Sequence, residues 1–421
     1  MSSARTDILL AMCPPYGPEM PPLSLASLVE SARANGFTAS VLDLNIDVFR
    51  AAPDPGEWEM DHKEQWVWPT KFPDLWKRHQ AALEAGIAKL AESDARVYGF
   101  SCHSDNRLTT SEVIRALRRS RPDAIVIVGG MGVYSDTSRR SFQSGLVDAF
   151  VIGPEGEATL VEFLRAVRDG RSFDEVPGLV LWRDGALRET AARDVANLAE
   201  FPFPTFADFA LAAYTTPNLP IVTSRGCKSH CLFCNDRVLM GKFRGRTAES
   251  VFDEIRHHVE VLGVRDFSFN DLQLNYNVTE IDRLCTLVNE HFGPASGAIR
   301  WNANIIVSDA FLPSILQNMR AAGCHTLTLG LETGALAGVV AEHGHGAGHL
   351  AHLVGEAGEG DVAVRIVAGQ AGHDGRKRRD GTRQNARQGK SGQCHQRDER
   401  DGHEHDLLLE GGSQLKDRRL L

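Results

Sequence analysis

Three cysteines stand within one short stretch, Arg225-Gly226-Cys227-Lys228-Ser229-His230-Cys231-Leu232-Phe233-Cys234. The spacing C-x3-C-x2-C lets three thiolates converge on one metal centre from a single loop. With 8 cysteines in 421 residues, this spacing arises by chance about 0.003 times per chain. A closed zinc site takes four ligands, usually from paired C-x2-C units, and no second pair or H-x3-H partner lies nearby. His230, between two of the cysteines, needs a strained turn to reach the same metal. A 4Fe–4S cluster held by Cys227, Cys231 and Cys234 fits better and leaves one iron open to a further ligand. A structural zinc site is the alternative.

A chain of 421 residues exceeds what one core usually holds, so two or three domains are expected. Residues 1–7 show no basic segment followed by an apolar one, and no uninterrupted apolar run of about 18 residues occurs. The expectation is a cytoplasmic protein without membrane contact. Cys13, Cys102, Cys285, Cys324 and Cys394 are scattered and read as buried thiols, not as a disulfide framework. A net charge of -9 argues against nucleic-acid binding, which needs a basic face.

Residues 6–170 alternate strands and helices. Apolar runs at 8–12, 41–44, 97–101, 125–128 and 149–152 predict strands. Leu25, Leu28, Val29 and Ala32 mark one helix face, Val113, Ile114 and Leu117 a second, and Leu160, Phe163, Leu164 and Val167 a third. The pattern predicts a doubly wound parallel sheet, Rossmann-like, in a domain spanning 1–170. Ligands of such sheets bind beyond the carboxyl ends of the strands, which draws attention to loops 13–22, 101–107, 129–132 and 153–157. Gly129 and Gly130 allow close approach of a bulky ligand. An insertion at 49–93 holds Trp58, Trp66, Trp68 and Trp76, four of the six tryptophans. That density favours a small core of its own over a wall of a binding site. Residues 171–218 read as a connector, with a hairpin turning at Asp184-Gly185 and an extended Phe201-Pro202-Phe203-Pro204.

The second domain, 219–333, opens with a strand at 221–224 that delivers the cysteine loop. Thr247 caps a helix through Leu262. Strands at 266–270, 299–305 and 326–331 alternate with helices at 278–291 and 309–322. Four βα steps in series match the start of a parallel barrel, in which residues leaving the strands face the ligand: Asn270, Asp271, Asn302, Asn304 and Glu332.

Together these features resemble the radical S-adenosylmethionine (SAM) superfamily, in the branch that carries an N-terminal cobalamin-binding domain. The resemblance implies a partial (β/α) barrel of six units with the cluster loop at its mouth. It implies that the open iron takes the amino and carboxylate groups of S-adenosylmethionine and that Phe233 packs on the adenine. Asn270, Asp271 and Glu332 fall where the family binds the rest of that cofactor. Ser101 and Gly129-Gly130 occupy the places of the cobalamin domain's serine and double-glycine motifs.

The implied chemistry is reductive cleavage to a 5′-deoxyadenosyl radical and cobalamin-dependent methyl transfer to carbon of a small-molecule substrate. Cyclisation or rearrangement is the alternative, and a catalytically inactive cluster-binding protein another. An electron donor such as flavodoxin or ferredoxin is implied as partner, and no catalytic residue beyond the cluster ligands. The cobalamin fold often places a cobalt-ligating histidine in a D-x-H-x-x-G loop after the first strand. Here that loop is proline-rich and has none, so the resemblance implies cobalamin without a histidine on cobalt; a Rossmann-like domain that binds no corrinoid is the alternative. His103 is the nearest loop histidine, and a lone loop histidine is more often exposed than a ligand.

After Thr333 the sequence changes character. Phe311 is the last aromatic residue, Pro313 the last proline and Met319 the last methionine. Half of the sixteen histidines fall between His343 and His405, and residues 376–400 carry nine basic and three acidic groups with few apolar ones. Such a stretch cannot bury a core, so residues 334–421 read as a low-complexity tail. A natural disordered tail, a histidine-rich metal tract and translation in a wrong frame compete, and the abrupt break after Gly-Leu-Glu-Thr-Gly favours the last. A fifth barrel unit is hinted at only by a helix at 349–355 and a strand at 362–368, leaving the barrel incomplete at its C-terminal side.

Overall fold

The computed structural model describes residues 5–229, 234, 236–293, 298–306, 313–331 and 363–368. In the first sheet, β1 (Thr6–Met12) is followed by α1 (Leu23–Ala34), β2 (Ala39–Asp43) and α2 (Leu44–Ala51). Helices α3 (Glu64–Val67), α4 (Phe72–Arg78) and α5 (Gln80–Glu92) precede β3 (Ala95–Ser101). Then come α6 (Arg107–Ser120), β4 (Ile125–Gly129), α7 (Asp136–Arg140), β5 (Ala149–Val151) and α8 (Gly156–Asp169). The hairpin β6 (Leu179–Arg183) and β7 (Ala186–Glu189) ends the segment.

Strands β1 to β5 pair in parallel in the order β2-β1-β3-β4-β5, which reverses direction between β1 and β3. The strands read as continuous apolar runs because both faces are covered. Ile8, Leu10 and Met12 meet α1 and α8 on one face, while Leu9 and Ala11 share the other core with Val48, Val113 and Leu117.

Two local expectations shift. The strand expected at 41–44 ends at Asp43, whose side chain caps α2 by accepting the Ile46 N–H at 3.1 Å. The hairpin read as part of a connector joins the first sheet instead, β6 pairing antiparallel with β5. Downstream of it, Phe206, Phe209 and Tyr214 are buried, and Phe206 contacts His258 of the second domain edge-on at 5.5 Å.

The tryptophan-rich insertion packs against the second face of the first sheet. Trp58 and Trp66 are buried, with their indole N–H groups donated to Asn45 Oδ1 at 2.8 Å and to the Glu57 carbonyl at 2.9 Å. Buried tryptophans need such partners, and here the insertion supplies them from its own neighbourhood. None of its residues lines the cavity described below.

The second sheet begins at β8 (Asn218–Ile221), followed by β9 (Ser224–Arg225), α9 (Asp236–Leu239), β10 (Arg244–Gly245) and α10 (Ala248–Leu262). Then come β11 (Asp266–Phe269), α11 (Val278–Phe292), β12 (Arg300–Ile305), α12 (Pro313–Ala321), β13 (Cys324–Leu331) and β14 (Ala363–Ala368). Strands β8, β11, β12, β13 and β14 are neighbours in that order and parallel, the arrangement of a partial (β/α) barrel. The strand expected at 221–224 stops at Ile221, and Ser224-Arg225 turns to pair antiparallel with Arg244-Gly245. The segment read as a tail contributes a fifth strand, β14, in register with β13 from Thr326–Ala363 to Leu331–Ala368. The remainder of 334–421 lies outside the described residues. Among the described residues, no helix is long and apolar enough to cross a membrane.

Candidate functional site

A cavity of about 380 Å³ opens where the carboxyl ends of the two sheets meet. Its first-sheet side is lined by Ser101, His103, Gly129, Gly130, Met131 and Tyr134, and its second-sheet side by Val222, Ser224, Arg225, Gly226, Asn270 and Leu272. The structure thus brings Ser101, Gly129 and Gly130 together on one floor, with Asn270 across from them. Gly130 and Gly132 are required by close packing. Gly130 has φ +98°, and a Cβ there would lie 2.5 Å from the Cys102 carbonyl oxygen; at Gly132 a Cβ would lie 2.5 Å from the His103 carbonyl. Ser101 Oγ lies 3.0 Å from Ser24 Oγ. Leu10, Leu23, Leu28, Ile127 and Leu160 complete a largely apolar floor.

The cysteine loop is held from several sides. Gly226, at φ +78°, passes so close to the chain ahead of β10 that a Cβ would lie 2.7 Å from the Lys242 carbonyl oxygen. Cys227 is half-buried; its sulfur accepts the Ser229 N–H at 3.4 Å and lies 3.7 Å from Gln273 Oε1. The Lys228 ammonium sits over the rings of Phe243 and Tyr276, 4.6 Å and 4.4 Å from their centroids. Cys234 is half-buried and forms no disulfide among the described residues. Cys231, Phe233 and Glu332 lie outside the described residues.

Asp271 departs from expectation. Its carboxylate, 1 % exposed, does not line the cavity. It accepts the Thr223 N–H at 3.0 Å, the Thr223 hydroxyl at 2.7 Å and the Ser224 hydroxyl at 2.5 Å. Burial raises its pKa against the pull of these donors. The carboxylate therefore ties the chain between β8 and the cysteine loop to the end of β11, while the neighbouring Asn270 faces the cavity.

Four charged groups at the junction had no sequence assignment. Arg225, at the head of the cysteine loop, forms a bidentate pair with Glu157 at the start of α8, Nη1 to Oε2 being 3.0 Å. Arg244 Nη2 approaches buried Glu155 Oε1 to 2.6 Å, an electrostatic contact without aligned hydrogen bonds. Burial raises the Glu155 pKa, opposed by Arg244 and Arg225. Loop 153–157 was legible as a ligand-facing loop of the first sheet; its ion pairs to residues some 70 to 90 positions later were not.

No family model matches the chain. An uncharacterized methyltransferase of Pyrococcus horikoshii is 26% identical over 254 residues, 59% of this chain and 54% of that protein. The cytidylyl-2-hydroxyethylphosphonate methyltransferase of Streptomyces wedmorensis is 23% identical over 354 residues, 74% of this chain and 61% of the other. The anaerobic magnesium-protoporphyrin IX monomethyl ester cyclase of a Synechocystis species is 26% identical over 222 residues, 51% and 43% of the two chains. The chain thus spans about half the length of the relatives it matches. Among solved structures, the radical S-adenosylmethionine methyltransferase TsrM of Kitasatospora setae, with cobalamin and a 4Fe–4S cluster bound, superposes with a TM-score of 0.59 at 20% identity, covering 78% of this chain and 61% of TsrM. OxsB, a cobalamin-dependent S-adenosylmethionine radical enzyme with aqua-cobalamin and S-adenosylmethionine bound, gives 0.58 at 15% identity over 82% and 46%. The chain has the fold of the cobalamin-dependent radical SAM enzymes.

Proposed function

We propose that the chain is a cobalamin-dependent radical SAM enzyme that transfers a methyl group to carbon of a small-molecule substrate. The observation that carries this reading is the opposition, across one cavity, of a cysteine loop and a glycine floor, each at the carboxyl end of its own sheet. We assign residues 1–170, with the hairpin β6-β7, to cobalamin binding and residues from 219 onward to the radical SAM core, with 190–218 as the bridge.

The residues present suit the groups. Cys227, Cys231 and Cys234 would hold the cluster, with the Ser229 N–H donated to Cys227 Sγ. Asn270, with Phe233 and Glu332, would contact S-adenosylmethionine; Asp271 acts one step back, by fixing Thr223 and Ser224. Ser101, Gly129 and Gly130 would seat the corrinoid, since bare backbone lets a broad ligand settle on the strand ends. Bound there, these cofactors supply a 5′-deoxyadenosyl radical and a methyl group; the chain positions them and keeps water out of a largely apolar cavity. Reduction by a flavodoxin or ferredoxin in the cytoplasm fits a cluster whose cysteines must stay reduced. Similarity to the anaerobic cyclase favours ring formation as the second reading, distinguished by whether product mass rises by one methylene unit.

The test is anaerobic reconstitution with iron and sulfide, then reduction with S-adenosylmethionine and an assay for 5′-deoxyadenosine. Formation that is lost in Cys231→Ala is the expected result. A cluster that forms without cleavage would mark a catalytically inactive cluster-binding protein. One bound zinc in place of iron would overturn the reading.

A further inference from the structure

We infer that His103 is an axial nitrogen ligand of cobalt, which the loop after β1 does not supply. The inference rests on the cobalamin reading above and concerns a residue outside the serine and glycine motifs. His103 lies two residues beyond β3 and lines the cavity with Gly130 and Met131.

Its backbone is fixed on two sides. The His103 N–H donates to Asn106 Oδ1 at 2.8 Å, and Asn106, fully buried, donates in turn to the Cys13 carbonyl at 3.1 Å. The His103 carbonyl packs so tightly on Gly132 that a Cβ there would lie 2.5 Å away. The ring leans on Tyr16, centroids 5.1 Å apart and tilted by 44°. No hydrogen bond engages either ring nitrogen among the described residues, and the nearby Asp105 carboxylate is paired with Lys63 at 3.3 Å. Burial holds the imidazole pKa below its ordinary value, Asp105 opposing and Lys63 adding, which favours the neutral ring.

The chemistry of the lining singles this group out. Neutral imidazole is a common ligand for first-row transition metals. The other described nitrogens that line the cavity from side chains are a protonated guanidinium, Arg225, and an amide, Asn270, neither of which offers a nitrogen lone pair. The Met131 thioether and the Ser24 and Ser101 hydroxyls are weaker donors. Coordination would be a ligand exchange: a His103 nitrogen takes the position of a water or of the cofactor's own benzimidazole, with no change of oxidation state.

The experiment uses the full chain labelled with 15N-histidine and loaded anaerobically with cob(II)alamin of natural isotope content. Electron paramagnetic resonance of the bound cofactor is expected to show a doublet nitrogen splitting, from one 15N on cobalt, that disappears in His103→Phe. A triplet would come from the cofactor's own 14N base and would overturn the inference, as would a spectrum without nitrogen splitting. The labelled wild-type chain decides the question even if the variant fails to fold. Retention of cob(II)alamin through gel filtration separates the two claims: a retained corrinoid without the doublet overturns only the His103 ligand, and failure to retain it overturns the cobalamin reading as well.

Discussion

Three glycines of the cavity region separate two costs that are usually confounded, left-handed backbone and close approach. Gly130 has φ +98° and a backbone oxygen, that of Cys102, 2.5 Å from where a Cβ would sit. Relief requires moving the Cys102 peptide by about half an ångström, although Cys102 N–H donates to the Gly129 carbonyl at 2.7 Å and Cys102 O accepts from Gly132 N–H at 2.9 Å. Gly130→Ala therefore combines a backbone cost of about 1–2 kcal/mol with an overpacking cost of about 1–3 kcal/mol. The sum is about 2–5 kcal/mol. Gly153 has φ +87° but nothing within 4 Å, so Gly153→Ala incurs only the first cost, about 1–2 kcal/mol. Gly156 has neither constraint, and Gly156→Ala at the start of α8 is expected to be neutral or to stabilise by up to about 1 kcal/mol. Urea unfolding followed by tryptophan fluorescence ranks the three. Equal unfolding midpoints for Gly130→Ala and Gly153→Ala would refute the close-approach argument.

Other consequences follow from single groups. Asp43, partly buried beside the Tyr214 hydroxyl at 2.6 Å, has its pKa raised by burial from 3.8 to about 6, Tyr214 and the Ile46 N–H opposing. The unfolded chain thus releases this proton first as pH rises, and stability falls by about 3 kcal/mol between pH 4 and pH 6; Asp43→Asn should remove that slope from urea midpoints, and parallel curves would contradict it. Trp66→Ala should cost about 3–5 kcal/mol, yet leave hydroxocobalamin retention per folded chain unchanged, because Trp66 is buried in the insertion and away from the cavity. Glu157→Gln leaves the Arg225 guanidinium without its carboxylate and should cost about 3 kcal/mol together with iron retained after reconstitution; a Glu157→Gln/Arg225→Gln double variant should recover part of both, and additive losses would argue against coupling.

What the sequence disclosed and what it hid divide along the range of the interactions. Continuous apolar runs marked every strand of the first parallel sheet, because a strand buried on both faces carries its signal locally. The hairpin β6-β7 was equally legible, but its place was not: Val180 pairs with Phe150, some 30 residues earlier, and no local feature names that edge. Asp271 shows the same limit in chemical form. A carboxylate leaving a strand looks alike whether it meets a ligand or ties down a loop, and only the arrival of Thr223 and Ser224 decides. Of the tryptophans of 49–93, Trp58 and Trp66 are buried, in the core on the second face of the sheet and not in one of their own, while Trp68 is half exposed. Strand β14 was hinted at by the apolar run 362–368, whereas Cys231, Phe233 and Glu332 lie outside the described residues.

The ion pairs at the junction bear on why the two domains face each other. Arg244 and Glu155 are almost wholly removed from water, and Arg225 and Glu157 largely so. Burying such charges costs several kcal/mol per ion, which their attraction barely returns, so the pairs are a poor source of net stability. Their value is directional. A bidentate guanidinium-carboxylate contact accepts one orientation, where an apolar contact would accept many. Both arginines flank the cysteine loop, one on β9 and one on β10, and both glutamates lie in the stretch that leaves β5. The cysteine loop is thereby held over the floor formed by Ser101, Gly129 and Gly130. A reaction that relies on groups carried by both sheets requires that register more than it requires additional stability.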